Sequence, residues 1–242
     1  MHLRRTLFIS DLHLDPSRPA IVAQFERFLA EVAPGAAALY ILGDLFEYWV
    51  GDDGLGLPFP RRIAARIHAT SATTPVHFMH GNRDFLAAER FARETGAALI
   101  ADPTVVDLYG TRALLMHGDT LCTDDVRYQA FRSQVRDPSW QRATLALPIE
   151  ERLMLANRMR IESEGTKQAT DMEIMDVSPE AVARAFSESG CDLMIHGHTH
   201  RPGRHMHRVE GRERIRWVLP DWYEKGGYLS ASTDGIRAFD RI

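Results

Sequence analysis

Five short apolar runs in this 242-residue chain each stop at a carboxylate, an amide or an imidazole, and that repetition constrains the fold more than any other feature. Thr6-Leu7-Phe8-Ile9-Ser10 ends in Asp11-Leu12-His13, Ala38 to Leu42 in Gly43-Asp44, and Val76 to Met79 in His80-Gly81-Asn82-Arg83-Asp84. Ala113 to Met116 runs into His117-Gly118-Asp119, and Leu193-Met194-Ile195 into His196-Gly197-His198-Thr199-His200. Runs this short and this apolar suit strands covered on both faces. Helical spacing separates the early ones. Ile21, Val22, Phe25, Phe28, Leu29 and Val32 form one stripe, Ile63, Ala64 and Ile67 a second, and Leu86 to Thr95 a third, closed by Gly96. The alternation predicts an α/β sandwich of two mixed β-sheets flanked by helices. Asp11, His13, Asp44, Asn82, His117, His198 and His200 then all fall at the carboxyl ends of strands, where open α/β folds place their ligand sites.

The remaining pattern refines this expectation. Gly51 to Pro60, rich in Gly and Pro, reads as a surface loop. From 124 to 176 no strand-like run occurs, and Asp137-Pro138 and Leu147-Pro148 divide that region into helices, which predicts a helical insertion or lid within one domain spanning 1–242. Ser178-Pro179 starts a further helix and Gly190 stops it. Ile215 to Leu219, Tyr228 to Ala231 and Ile236 to Phe239 are short strands expected to finish the second sheet.

Composition narrows the function classes. A chain that is 45% hydrophobic can bury a sizeable core, and its net charge of -4 gives no global pull toward nucleic acid. Cys122 and Cys191 do not make a disulfide framework, and no leader precedes the first apolar run, so a reducing cytoplasm is expected. With no run of 18 apolar residues, contact with a membrane has to be peripheral.

Seven oxygen and nitrogen ligands without a thiolate suit two hard or borderline divalent cations such as Mn²⁺, Mg²⁺ or Fe²⁺. If Asp44 bridges them, each ion receives four protein groups. Two such ions about 3.5–4 Å apart can clamp a phosphoryl group and activate water, so the chemistry implied is hydrolysis of a phosphoester or phosphoanhydride. His80 and His196 alternate away from the ligand face and read as structural. His205 and His207 read as exposed loop, and the two cysteines as buried small hydrophobes.

The ordered blocks Asp11-x-His13, Gly43-Asp44, Gly81-Asn82-Arg83-Asp84, His117 and Gly197-His198-Thr199-His200 resemble those of the calcineurin-like metallophosphoesterases. The longer wording, from Ile9 to Leu14, Tyr40 to Glu47, His80 to Leu86, Met116 to Asp125 and His196 to Pro202, with Ile174-Met175-Asp176-Val177 in the insertion, is similar to the bacterial UDP-2,3-diacylglucosamine hydrolases of lipid A synthesis. The resemblance covers nearly the whole chain. It implies one Mn²⁺ on Asp11, His13, Asp44 and His200 and a second on Asp44, Asn82, His117 and His198. It further implies substrate contacts from Asn82, Arg83, Asp125, Ser163 and His198. A lysine expected at 170 is Thr170 here, while Lys167 lies one helical turn earlier and can take over its phosphate-directed role.

The activity so implied is cleavage of a lipid nucleotide-sugar pyrophosphate into UMP and 2,3-diacylglucosamine 1-phosphate, with attack at the α phosphorus. The chain would then sit peripherally on the cytoplasmic face of the inner membrane, with no nucleic-acid partner and no obligate protein partner. Arg83 adds an inference from chemistry: with a pKa above about 12 it cannot protonate an alkoxide leaving group, whereas a leaving phosphate, whose second pKa is about 6, hardly needs an acid. Tyr128, Phe131, Trp140, Leu145, Leu147, Leu153 and Met154 either pack the insertion onto the body or face a groove for acyl chains. Arg127, Arg132, Arg136, Arg158 and Arg160 either meet anionic head groups or form a solvated face. A metallophosphoesterase for a soluble nucleotide or phosphoprotein, and a non-catalytic binding scaffold, are the competing readings.

Overall fold

Successive side chains of β1 (Thr6–Ile9), β2 (Ala38–Leu42) and β3 (Val76–Met79) serve different layers, which is why these strands are apolar at nearly every position. Leu7, Ile9, Leu39, Ile41, Val76 and Phe78 pack against one layer of helices, meeting Phe25, Phe28, Ile63, Ile67 and Phe91. Phe8, Leu42 and Met79 point the other way, onto Ala113, Leu115, Leu193 and Ile195 of a second sheet. Each such side chain contributes about 1.5–3 kcal/mol on full burial. The structure, a computed structural model, describes residues 4–169, 176–223 and 226–242, and for 162–169 the backbone alone.

The helices of the first layer are α1 (Pro19–Arg27), continued by one wider π-helical turn at Phe28–Val32, α2 (Pro58–Ser71) and α3 (Glu89–Thr95). β4 (Ala98–Ile100), β5 (Thr104–Leu108) and β6 (Thr111–Leu115) follow. Then come α4 (Val126–Arg136), α5 (Pro138–Leu145), α6 (Ile149–Ala169) and α7 (Pro179–Ser189). The chain closes with β7 (Leu193–His196), β8 (Gly203–Val209), β9 (Arg212–Val218), β10 (Tyr228–Ser232) and β11 (Gly235–Phe239). Ser178 caps α7 through its side chain with Pro179 behind it, and Gly190 ends it in the left-handed conformation, as the sequence predicts.

The first sheet has the order β11-β10-β1-β2-β3-β4 and the second β5-β6-β7-β9-β8. They face each other, and α7 covers the outer side of the second through Val182 and Phe186 against Leu114 and Met194. This is the expected α/β sandwich of two mixed sheets. Three details differ from the sequence reading. β10 and β11 complete the first sheet, since β10 pairs antiparallel with β1. His205 and His207 lie on edge strand β8, whose alternating polar residues reflect an exposed position at the end of the sheet. Gly51 to Pro60 is not a simple surface loop, because Gly51 lies against Leu145 of α5 and Arg152 of α6, and Leu55 is buried in the core with Ile63 of α2 and Phe91 of α3.

Register places the site. β1, β2 and β3 are parallel with Ile9 opposite Ile41 and Ile41 opposite Phe78, so their carboxyl ends finish side by side. β6 and β7 are parallel with Leu115 opposite Ile195, and Gly197 N donates to His117 O (2.8 Å) just beyond them. Helices α4 to α6 are tied back to the body by arginines. Arg132 Nε donates to Asp119 Oδ2 (2.7 Å), Arg136 Nη2 to Gly81 O (2.8 Å), and Arg152 pairs with Asp53 and Val50 O. Arg132 and Arg136 therefore hold α4 to the body, while Arg127 and Arg158 are exposed. Tyr128, Phe131, Trp140 and Leu153 are half-buried, whereas Leu145, Leu147 and Met154 are exposed. Among the described residues no helix is long and apolar enough to cross a membrane.

Candidate metal centre

The strand ends turn sharply to aim their side chains at one point. Asp11, His13, Asp44, His198 and His200 all have φ between 47° and 66°, a left-handed conformation that few non-glycine residues adopt. Such outliers cluster at sites where the surrounding structure over-determines the backbone. Here the determinants are ladder-like bonds beyond the strands: Asp11 N donates to Gly43 O (3.1 Å) and His13 N to Asp44 O (3.0 Å).

Asp11, His13, Asp44 and His117 are buried, and His198, His200 and Asn82 are partly so. The Asp44 carboxylate stands between two groups, with Oδ2 3.8 Å from His13 Nε2 and Oδ1 3.8 Å from His117 Nε2. On one side His200 Nε2 is 3.4 Å from Asp11 Oδ1. On the other, Asn82 Oδ1 lies 3.0 Å from His117 Nε2 and 2.9 Å from His198 Nδ1. Asp11, His13 and His200 bring ligand atoms within 4.8 Å of one another, and so do Asp11, Asp44 and His117. Asp11 is thus close to both halves, a detail that strand spacing does not reveal.

These residues fit divalent-cation binding. Asp11 Oδ1 and both ring nitrogens of His13 are buried without a hydrogen bond. Burying polar groups in this way costs free energy that a cation can return. Electrostatics agrees. Burial pulls the His117 pKa down, but the carboxylates of Asp44, Asp119 and Asp11 outweigh it and hold the imidazole up at about 9, a demand for positive charge that an ion satisfies instead. His198 behaves oppositely: burial and the neighbouring His117 lower it to about 4, leaving a neutral ligand. A saturating divalent cation at about 1,000 Kd stabilises by ~4 kcal/mol, which for a chain of this size is roughly 10 °C in Tm. Chelation is therefore expected to lower the melting temperature by about that amount, read by differential scanning calorimetry. A Tm that ignores chelator would count against an ion-binding centre.

Around the candidate ligands lie residues to which the sequence reading gave no role. Asp84 accepts from Leu45 N (2.7 Å) and Gly81 N (2.8 Å), clamping the Asp44 and Asn82 loops together. Burial, with Asp44 beside it, pushes its pKa up to about 7. Glu47 Oε2 is 3.4 Å from His13 Nδ1, His117 Nδ1 donates to Leu42 O (2.9 Å), and Asp221 Oδ2 is 3.9 Å from His200 Nδ1. Such partners fix which ring nitrogen faces the centre. Asp119 accepts from Tyr128 Oη (2.8 Å) as well as from Arg132, which seats α4 beside His198, whose ring centroid is 5.5 Å from that of Tyr128. Asp119 and Glu47 stand in the quoted blocks, but only the fold shows what they touch.

Of the predicted substrate residues, Arg83 donates its backbone N–H to Asp44 Oδ1 (2.8 Å), and its side-chain Nε is buried without a partner. Asp125 caps α4, accepting from Tyr128 N (2.9 Å). Thr170 and the side chains of Ser163 and Lys167 lie outside the described residues. His80 bonds the Ala87 carbonyl, and His196 is buried with its ring held between Gly197 O and Arg216, so both are structural. Cys122 and Cys191 are buried and free, as expected.

A two-sheet sandwich with carboxylate, amide and imidazole groups converging at its strand ends defines a metallophosphoesterase, and the family described as calcineurin-like phosphoesterase matches residues 4–202. The chain belongs to the UDP-2,3-diacylglucosamine hydrolases within that class. It is 50% identical over 232 residues to the UDP-2,3-diacylglucosamine hydrolase of Cellvibrio japonicus (strain Ueda107), covering 96% of each chain. It is 48% identical to the proteins of the same name from Xanthomonas campestris pv. campestris (strain B100), covering 96% of each, and Stenotrophomonas maltophilia (strain K279a), covering 95% of this chain and 96% of that one.

Proposed function

We propose that this chain hydrolyses the pyrophosphate bond of UDP-2,3-diacylglucosamine in lipid A biosynthesis, releasing UMP and 2,3-diacylglucosamine 1-phosphate. The observation that carries the reading is the position of Asp44 between two ligand groups, in a chain nearly half identical, end to end, to proteins of that name. The proposed ions are two Mn²⁺, one on Asp11, His13, Asp44 and His200 and one on Asp44, Asn82, His117 and His198. When bound, such a pair activates water and draws negative charge from the phosphoryl group.

The protein's own contribution is placement. Asp84 holds the two loops that carry Asp44 and Asn82 at a fixed separation. Asn82 and His198 contact the reacting phosphate, and Arg83 offers a delocalised charge to the pyrophosphate. Asp125, with one oxygen engaged at the start of α4, orients the substrate together with Ser163, and Lys167 takes the phosphate-directed role in place of Thr170. The insertion at 124–176 acts as the lid that selects a lipid substrate. Its exposed Leu145, Leu147, Met154 and Ile161, with Arg127 and Arg158, support peripheral attachment to the cytoplasmic face of the inner membrane.

The test is turnover of UDP-2,3-diacylglucosamine by Mn²⁺-loaded protein against a panel of soluble phosphoesters. Because Arg83 cannot serve as a proton donor, an alkyl phosphomonoester should be hydrolysed with kcat/KM at least about 10²-fold lower, the lower end of what general acid catalysis supplies. Equal turnover of such a monoester would refute the assignment to Arg83. Hydrolysis in ¹⁸O water should label UMP, and label in the lipid phosphate would move the attack to the other phosphorus.

A further inference from the structure

A cavity of about 270 Å³ opens beside His13 and His200, walled from the body by Asp15, Ser17, Arg18, Glu47, Tyr48 and Tyr223 and from α6 by Asn157 and Arg160. It is one side chain away from the candidate ligands. Glu47 Oε2 is 3.4 Å from His13 Nδ1, and the Tyr223 ring lies 5.5 Å from that of His13 and 5.1 Å from that of His200, centroid to centroid. Arg18 braces this wall: Nη1 donates to His13 O (3.1 Å), Nη2 donates to Trp222 O (3.1 Å), and the guanidinium lies 4.9 Å over the Tyr223 ring. With both loops pinned by one side chain, the body wall of the cavity is set before any ligand arrives.

Its character separates the two halves of a lipid nucleotide. Among the described residues the walls are polar or aromatic throughout, and the exposed apolar side chains Leu145, Leu147, Met154 and Ile161 are not among them. A space at or below the lower end of the roughly 300–1,000 Å³ range of small-molecule pockets holds a mononucleoside and is too small for two acyl chains.

We propose that this cavity is the nucleoside subsite of the reaction proposed above, on which the assignment rests, and that it takes the uridine end of the substrate. The Tyr48 ring offers a face for the base, since stacking on aromatic side chains accepts any base. Asn157 presents an amide whose oxygen can accept from N3–H of uracil and whose NH2 can donate to O4. Asp15 accepts from Ser17 N (2.8 Å) and Ser17 Oγ (2.5 Å) through Oδ1 alone, a turn that leaves Oδ2 for a ribose hydroxyl, the use a carboxylate finds in dinucleotide sites.

Calorimetric titration of the Mn²⁺-loaded protein with UMP reads the subsite directly, and turnover of the lipid nucleotide reads the reaction. UMP should bind the parent protein, and Asn157→Ala, an exposed position on α6, and Tyr48→Ala should each weaken it about fivefold to tenfold. Inhibition by 2,3-diacylglucosamine 1-phosphate should stay within twofold in both variants. UMP affinity unchanged in both variants, no UMP binding to the parent, or weakened inhibition by the lipid product alone would each overturn the assignment. A parent that binds UMP through these residues yet fails to turn over UDP-2,3-diacylglucosamine would keep the nucleoside subsite and remove the proposed reaction.

Discussion

Asp44→Ala should lower kcat for UDP-2,3-diacylglucosamine by at least about 10³-fold while the fold survives. Removing one preorganised group that stabilises transition-state charge costs about 10²–10³ in rate, and Asp44 does more than one job. Its two oxygens face His13 and His117 at 3.8 Å each, and Oδ1 also accepts the Arg83 N–H. The fold is expected to tolerate the loss because Asp44 repels the buried Asp84 carboxylate beside it, which is pushed up to about 7 by burial and then by Asp44. In chelator, parent and variant should therefore melt within a few degrees of each other, and the gain in Tm on adding Mn²⁺ should disappear in the variant. Activity within tenfold of the parent would sink the bridging role.

Gly81→Ala is expected to be damaging although it replaces none of the candidate ligands. A Cβ at position 81 would lie 2.1 Å from Asp44 Oδ1 and 2.3 Å from Asp44 N, distances no real contact shows. The backbone there needs no left-handed conformation, so space alone demands the glycine. Something must move, and the candidates are the loop carrying Asn82 and the loop carrying Asp44. A displacement of about 1 Å in a reacting constellation costs on the order of 10²-fold, and that loss in kcat/KM is the expected result. Gly56→Ala is the control, since a Cβ there meets nothing within 4 Å. If both variants kept parental rates, the two loops would have more freedom than their shared Asp84 clamp suggests.

What the sequence made legible was whatever local pattern controls. The five strand ends can be read because a buried strand must be apolar and a ligand must not be, so the change of character marks the boundary in the residues themselves. Gly96 and Gly190 stop their helices for equally local reasons. β5 and β8 escaped because strands at the edge of a sheet face water and lose the apolar signature, and β4 is only Ala98–Ile100. The sheet to which β10 and β11 belong was misassigned for a different reason: an apolar run says that a strand is covered, not by which neighbour. The residues around the ligands were invisible in the same way. Arg18 reaches Trp222, Tyr223 stacks on His13, and Asp221 approaches His200, contacts that only the closed fold creates.

The left-handed backbone at Asp11, His13, Asp44, His198 and His200 has an implication for how this protein changes under selection. Each such residue holds about 1 kcal/mol or more of strain that glycine would release. Heat resistance selected without divalent ions would thus favour glycine at these five positions and erase the centre one ligand at a time, while the sandwich beneath grew more stable. Thermal robustness and chemistry draw on the same residues in opposite directions, so a hardier form of this protein has to be sought in its strands and helices, away from the turns that end them.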